Sequence, residues 1–189
     1  MNSVIFYTAR EHIAAPLRGK MRLRVAEISD LDDLKAMYGK VVKNMNESGL
    51  DIWNDVYPCS FLEEDIQTGC LYILCDEKCF AGAFSLKDEN KGAGEVTWNL
   101  SGRKPVYIEK LAVAAEYRRR GCGSVLLDEA VRLAGKTGHD VLRLFVDVSN
   151  GMAVRLYEKY GFRKAAGIWH EMIDEHRFLD EVGYELALT

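Results

Sequence analysis

The sequence predicts a single mixed α/β domain, and three observations carry that prediction. An apolar strand over residues 106–113 runs into a basic, glycine-bearing turn, then a helix, a second strand over 141–148 and a second helix. This is a βαβα order, and such a unit with parallel strands opens a ligand site at the carboxyl ends of its strands. The length of 189 residues, 48% hydrophobic and 29% charged, suits one soluble domain with a substantial core. No internal repeat or low-complexity tract interrupts the pattern.

Taken in order, residues 1–20 hold two short apolar pieces and Pro16 without a sustained period. They form an N-terminal extension, read as an extra strand, an arm or a leader. Alternation over residues 21–25 predicts a half-buried strand. Ser29, with Asp32 three residues on, reads as the N-cap of a helix carrying Leu31, Leu34, Met37, Tyr38, Val41, Val42 and Met45 on one face. Gly39 in its interior costs about 1 kcal/mol against alanine.

Residues 46–59 lose the period and mix Trp53 and Tyr57 with Gly49, Asp51, Asp55 and Pro58, which makes them a loop suited to substrate contact. Ser60 and Glu63 have the spacing of a capping box for a short helix ended by Gly69. Residues 71–75 and 79–86 read as a hairpin, and residues 95–100 as a strand extension. The helix after Gly123 puts Leu126, Leu127, Ala130, Leu133 and Ala134 on one side, with Gly138 at its end. Asn150 caps a helix that Gly161 stops. Residues 163–169 and 183–188 read as two further strands around a polar loop at 170–178.

The chemistry concentrates at residues 118–124. The first turn of a helix leaves backbone N–H groups without partners, and with the helix dipole these favour an anion. Gly121 and Gly123 lack a Cβ, so a pyrophosphate can approach the main chain. Arg118, Arg119 and Arg120 add charge-assisted donors. A P-loop needs Lys-Ser/Thr after its last glycine, whereas Ser124-Val125 follows Gly123; a dinucleotide fingerprint needs a small residue where Leu126 stands.

Arg118-x-x-Gly121-x-Gly123, preceded by the strand 108–113, resembles the coenzyme A motif of the GNAT superfamily of acetyl-CoA-dependent N-acetyltransferases. Asn150-x-x-Ala153-x-x-Leu156-Tyr157-x-x-x-Gly161-Phe162 is similar to a second segment of that family's pattern. The resemblance implies a mostly antiparallel central sheet with a parallel, splayed strand pair and flanking helices over residues 21–189. It implies pantetheine paired with the main chain of Leu111, Ala112 and Val113, and pyrophosphate on the amides of Arg119, Arg120, Gly121, Cys122, Gly123 and Ser124. Asn150 matches a residue that bonds the pantetheine amide, and a plain N-cap explains it as well.

Tyr157 matches a tyrosine that serves as general acid toward the coenzyme sulfur; the other reading is a core tyrosine. Glu109 matches a position used for a general base, acting through water; the other reading is a strand carboxylate paired with a neighbouring cation. The implied reaction is acetyl transfer to a primary amine, small molecule or peptide, by direct attack, with a non-catalytic acyl-CoA-binding module as the rival.

A net charge of −4 makes the arginine run a local feature and argues against nucleic acid as partner. No apolar run reaches membrane-span length and no signal-peptide core is present, which points to the cytoplasm. Five cysteines, an odd number mostly in strand-like sequence, read as reduced core thiols, and no metal site is expected. The two loops at 46–59 and 170–178 should form the acceptor mouth. Their Glu47, Asp51, Asp55, Glu171, Asp174 and Glu175 suggest a cationic acceptor. The oligomeric state is left open, a homodimer included.

Overall fold

The computed structural model describes residues 21–54, 56–77, 79–174 and 177–188. The N-terminal extension lies outside the described residues. The rest forms one eight-stranded sheet in the order β1-β2-β3-β4-β5-β8-β6, with β7 also pairing β8. The strands are β1 (Arg22–Val25), β2 (Leu71–Cys75), β3 (Phe80–Lys87), β4 (Pro105–Val113), β5 (Val141–Asp147), β6 (Arg163–Lys164), β7 (Trp169–Asp174) and β8 (Arg177–Ala187). The helices are α1 (Leu31–Glu47), α2 (Leu62–Gln67), α3 (Cys122–Lys136) and α4 (Gly151–Tyr160). All pairings are antiparallel except β4 with β5. The predicted fold class is the one observed.

The parallel pair is short. Its register runs only from Pro105 opposite Val141 to Ile108 opposite Leu144, although β4 continues to Val113 and β5 to Asp147. Beyond Ile108 the two strands part, which is the expected splay. A bulge in β4 reinforces it: Ser85 faces Glu109 and Ala83 faces Ala112, so one extra residue of β4 is fitted between them. Lys110 sits there with φ 54°. Tyr38 of α1 donates its hydroxyl to the Lys110 carbonyl at 2.6 Å, pinning the bulge from the helix side.

Two apolar cores flank the sheet. One joins Leu126, Leu127 and Ala130 of α3 to Phe84, Ile108, Leu142 and Leu144; the other joins Leu34 and Tyr38 of α1 to Leu62, Leu71 and Ile73. Gly82 on β3 is what allows α3 to sit so close. A Cβ there would meet the Ala112 carbonyl at 2.5 Å and Leu126 Cδ1 at 2.8 Å.

Several local expectations need correction. Ser29 and Ser60 do not cap: α1 is preceded by a 3₁₀ turn (Ile28–Asp30), where the Glu27 amide donates to Asp30 at 2.7 Å and Arg24 bonds both Asp30 oxygens. Helix α2 starts at Leu62 behind Phe61, with no side-chain cap. Residues 95–100 make no strand beyond a single bridge, Thr97 to Ala166. The amides of Asn99 and Leu100 instead donate to the buried Glu185 carboxylate at 2.6 and 2.9 Å. The segment read as a polar loop at 170–178 belongs mostly to β7 and β8, which pair as a hairpin.

Candidate active site

A cleft of about 1180 Å³ opens where β4 and β5 part. Helix α1 and the loop after it form one wall, the start of α3 and α4 the floor, and β7 with β8 the far side. Glu109, Leu111, Ala112, Val113, Arg118, Arg119, Gly121, Cys122, Gly123, Ser124, Asn150 and Tyr157 all line it. Arg120 is not among the lining residues; its guanidinium lies 6.0 Å from the centroid of the Tyr117 ring.

The turn before α3 is built to present donors. Gly121 takes a left-handed conformation with φ 85°, and Arg119 has φ 59°. The Ser124 and Val125 amides both donate to the Gly121 carbonyl, at 3.0 and 3.2 Å. Among the described residues, the amides of Arg119, Arg120, Gly121, Cys122 and Gly123 have no acceptor. Of the six amides expected to meet an anion, that of Ser124 is thus engaged within the protein. Gly123 has a packing duty besides, because a Cβ there would come within 3.0 Å of Leu156 Cδ2. The Cys122 thiol is buried and pushed up by that burial, the opposite of an activated nucleophile.

Tyr157 is 7% exposed, with its ring 5.8 Å from Phe162 and 6.5 Å from Tyr184. Burial, with the charge of Glu181, raises its ionisation well above the ordinary tyrosine value. Two other buried tyrosines spend their hydroxyls on the protein, Tyr38 on the Lys110 carbonyl and Tyr184 on Glu158 at 3.0 Å. Among the described residues nothing hydrogen-bonds the Tyr157 hydroxyl, which borders the cleft. Asn150 caps α4 by accepting from the Ala153 amide at 3.2 Å, and this uses its Oδ1 but not its amide nitrogen.

Glu109 accepts from Asn90 Nδ2 at 2.8 Å and lies 3.4 Å from Lys110 Nζ and 3.7 Å from Lys87 Nζ. Of the acidic residues expected at the mouth, Asp55 and Glu175 lie outside the described residues. Glu171 lines the cleft, whereas Glu47 and Asp51 do not.

Sequence reasoning missed Glu181, on β8, which lines the cleft beside Tyr157, Phe145 and Trp169. Burial, then the charges of Glu171, Asp147 and Glu109, push its carboxyl up to about 8. Glu171 is raised as well, chiefly by burial. The signal that could have exposed Glu181 is period-2 alternation, but both faces of β8 are partly buried: Val182 and Tyr184 on one, Leu179, Gly183 and Glu185 on the other.

A parallel strand pair that opens at its carboxyl ends, above a helix whose first amides are free, is the architecture of the coenzyme A-dependent acyltransferases. The chain belongs to the acetyltransferase (GNAT) family, whose model matches residues 41–162. An uncharacterised N-acetyltransferase of Methanocaldococcus jannaschii is 30% identical over 77 residues, covering 40% of this chain and 34% of that protein, about a third of its length. The candidate phosphinothricin acetyltransferase YwnH of Bacillus subtilis is 27% identical over 143 residues, or 75% of this chain and 83% of that one. The fold is shared with yncA of Salmonella typhimurium, solved with acetyl-CoA, at a TM-score of 0.62 and 20% identity over 89% of this chain and 94% of that one. No helix among the described residues is long and apolar enough to cross a membrane.

Proposed function

We propose that this protein is an N-acetyltransferase that passes the acetyl group of acetyl-CoA to a primary amine by direct attack, without a covalent enzyme intermediate. The observation that carries the reading is that one cleft holds both a set of unengaged amides at a helix N-terminus and the unengaged hydroxyl of Tyr157. The amides of Arg119 to Gly123, aided by Arg118 and Arg119, take the pyrophosphate. The main chain of Leu111, Ala112 and Val113, freed where β4 leaves β5, takes the pantetheine arm, and the Asn150 amide nitrogen is free to meet it.

Transfer then needs a proton taken from the ammonium, an oxyanion held and a thiolate helped away. Tyr157 serves the thiolate, because its raised ionisation keeps the hydroxyl protonated as a donor. Carboxylates for the ammonium stand on both sides of the cleft: Glu109 from β4, and Glu171 and Glu181 from β7 and β8. They favour a cationic acceptor, small molecule or peptide.

Calorimetric titration with acetyl-CoA and a thiol-release assay over a panel of amines test the reading. Binding and amine-dependent release of coenzyme A are expected. Binding without release for any amine would leave a non-catalytic acyl-CoA-binding module.

A further inference from the structure

The hairpin β7–β8 places two carboxylates together that, among the described residues, no cation contacts. Glu181 stands opposite Trp169, and Glu171 opposite Leu179, so the two acids are diagonal neighbours on one face of the hairpin. That face forms the cleft wall. On its other side Glu181 stands opposite Asp147 of β5, whose carboxylate is occupied by the amide and hydroxyl of Ser149. Among the described residues, neither Glu171 nor Glu181 makes a hydrogen bond or an ion pair, in contrast to Glu109 with its Asn90 and lysine contacts. Glu181 is also close enough to act electrostatically on the Tyr157 hydroxyl.

We propose that Glu181, backed by Glu171, is the catalytic residue that holds the acceptor's ammonium group and takes its proton, and that the acceptor is an alkylamine or polyamine with no carboxyl or carbonyl beside its primary amine. The proposal rests on the acetyl-transfer reading above and moves the proton-taking role from Glu109 to the opposite wall. The rings beside the two acids supply the rest of the subsite. Phe145 and Trp169 meet edge to face with centroids 5.2 Å apart, and Trp53 and Tyr57 line the facing wall. Aromatic faces attract ammonium groups and pack on an aliphatic stem.

The step balances as follows. Ionised Glu181 takes one proton from R–NH₃⁺, and the freed lone pair forms the N–C bond to the thioester carbonyl. The nitrogen loses its second proton as the tetrahedral intermediate collapses, the C–S bond breaks, and the sulfur receives a proton by way of Tyr157. One proton is released to solvent overall. A carboxyl pushed up to about 8 by burial and by Glu171, Asp147 and Glu109 is a stronger base than an ordinary glutamate, and an arriving cation favours its ionised form. The other charges facing this group act through its neighbours: Lys91 on Glu171, and Lys87 and Lys110 on Glu109. Tyr57 and Tyr157 face it as neutral phenols.

The test uses the full chain with acetyl-CoA and n-butylamine, putrescine and spermidine, reading coenzyme A release from pH 6 to 10. Glu181→Gln is expected to lower kcat by about 100-fold or more, with acetyl-CoA affinity measured by calorimetry unchanged. Glu171→Gln should move the rising limb of the pH profile to lower pH, because removal of its charge makes Glu181 easier to ionise. Glu109→Gln should lose less than Glu181→Gln. If Glu181→Gln fails to fold, Glu181→Asp keeps the charge with a shorter reach and should retain partial turnover. Glu181→Gln within about threefold of wild type, or a larger loss in Glu109→Gln, overturns the proposal. Turnover confined to amino acids or peptides overturns the acceptor class and leaves acetyl transfer standing, whereas failure to bind acetyl-CoA brings down both.

Discussion

The cleft has acid on two sides, and the two sides treat it in opposite ways. On the β3–β4 side the carboxylates are neutralised. Glu109 has its lysines, and behind this wall Asp65 of α2 is fully buried, yet it accepts from Ser85 Oγ at 2.6 Å and from Lys110 Nζ at 2.9 Å, and pairs with Lys87 at 2.8 Å. Burial alone would raise its ionisation; Lys87, Ser85 and Lys110 outweigh that and hold it below the usual carboxylate range. On the β7–β8 side Glu171 and Glu181 face one another's charge, among the described residues without a cation in contact, and both are raised. The same chemical group is scaffold where the protein supplies its counter-charge and reagent where the substrate must supply it.

The largest effect expected from this contrast is on the scaffold side. Asp65→Ala removes the buried anion and leaves Lys110, 6% exposed, with Glu109 at 3.4 Å as its one remaining carboxylate among the described residues. Breaking a buried pair this way costs about 3–5 kcal/mol. Urea unfolding is the measurement, and a loss below about 1 kcal/mol would mean that Asp65 is no keystone. Glu181→Gln should cost no comparable stability, since it removes a group whose ionised form the fold disfavours.

Next in size is Tyr157→Phe, which keeps the ring and removes the hydroxyl. If the hydroxyl serves the departing thiolate, kcat falls about 10²-fold, equivalent to about 2.7 kcal/mol in the barrier, and KM for acetyl-CoA barely moves. Stability should be nearly unchanged, because among the described residues no hydrogen bond to that hydroxyl is lost. Single-turnover mixing and thermal melts on one sample decide the matter; a stability loss with turnover intact would return Tyr157 to the core.

The raised carboxylate also predicts the sign of a pH effect on the ligand-free protein. Glu181 ionises at about 4.5 when unfolded and about 8 when folded. Between these values the folded state binds more protons, so the contribution of Glu181 to stability is fully present below about pH 4.5 and lost as pH rises toward 8. Glu171 adds in the same direction. The melting temperature of the wild type should therefore fall across this window more steeply than that of Glu181→Gln. Parallel curves would show that Glu181 is not held neutral.

What the sequence made legible follows the same division. The cofactor half is written in local geometry: Gly121 must go left-handed, the turn must precede a helix, and Asn150 must cap one, so each residue type is dictated by its near neighbours. The acceptor half is written across the sheet. β7 and β8 share their faces among Trp169, Glu181, Glu185 and the aromatic stack, and Glu185 is buried because it receives the amides of Asn99 and Leu100 and lies 3.4 Å from Arg143. Residues 170–178 put polar side chains on both faces, with His170, Asp174 and His176 on one and Glu171 and Glu175 on the other, so no apolar alternation marks them as strand, and Glu181 lies beyond any strand that the pattern predicts. Gly183 hides in the same way, since only the tertiary fold shows that a Cβ there would strike Trp98 at 2.8 Å.

The smallest effect expected separates two duties of one side chain on the cofactor side. Asn150 accepts from the Ala153 amide through Oδ1, and an aspartate at this position can cap equally well, with a slight gain from the helix dipole. Asn150→Asp should thus leave stability within about 0.5 kcal/mol of wild type. It does, however, replace the amide nitrogen by a second acceptor. If that nitrogen bonds a pantetheine carbonyl, the variant loses one hydrogen bond and places two acceptors face to face, and acetyl-CoA affinity falls by about 10-fold, or about 1.4 kcal/mol. Asn150→Ala should lose both, about 1 kcal/mol of stability and a similar share of affinity. Calorimetry and unfolding on the two variants give four numbers, and the pattern decides: unchanged affinity in Asn150→Asp would make Asn150 a cap and nothing more, whereas weakened binding at full stability would make it part of the cradle.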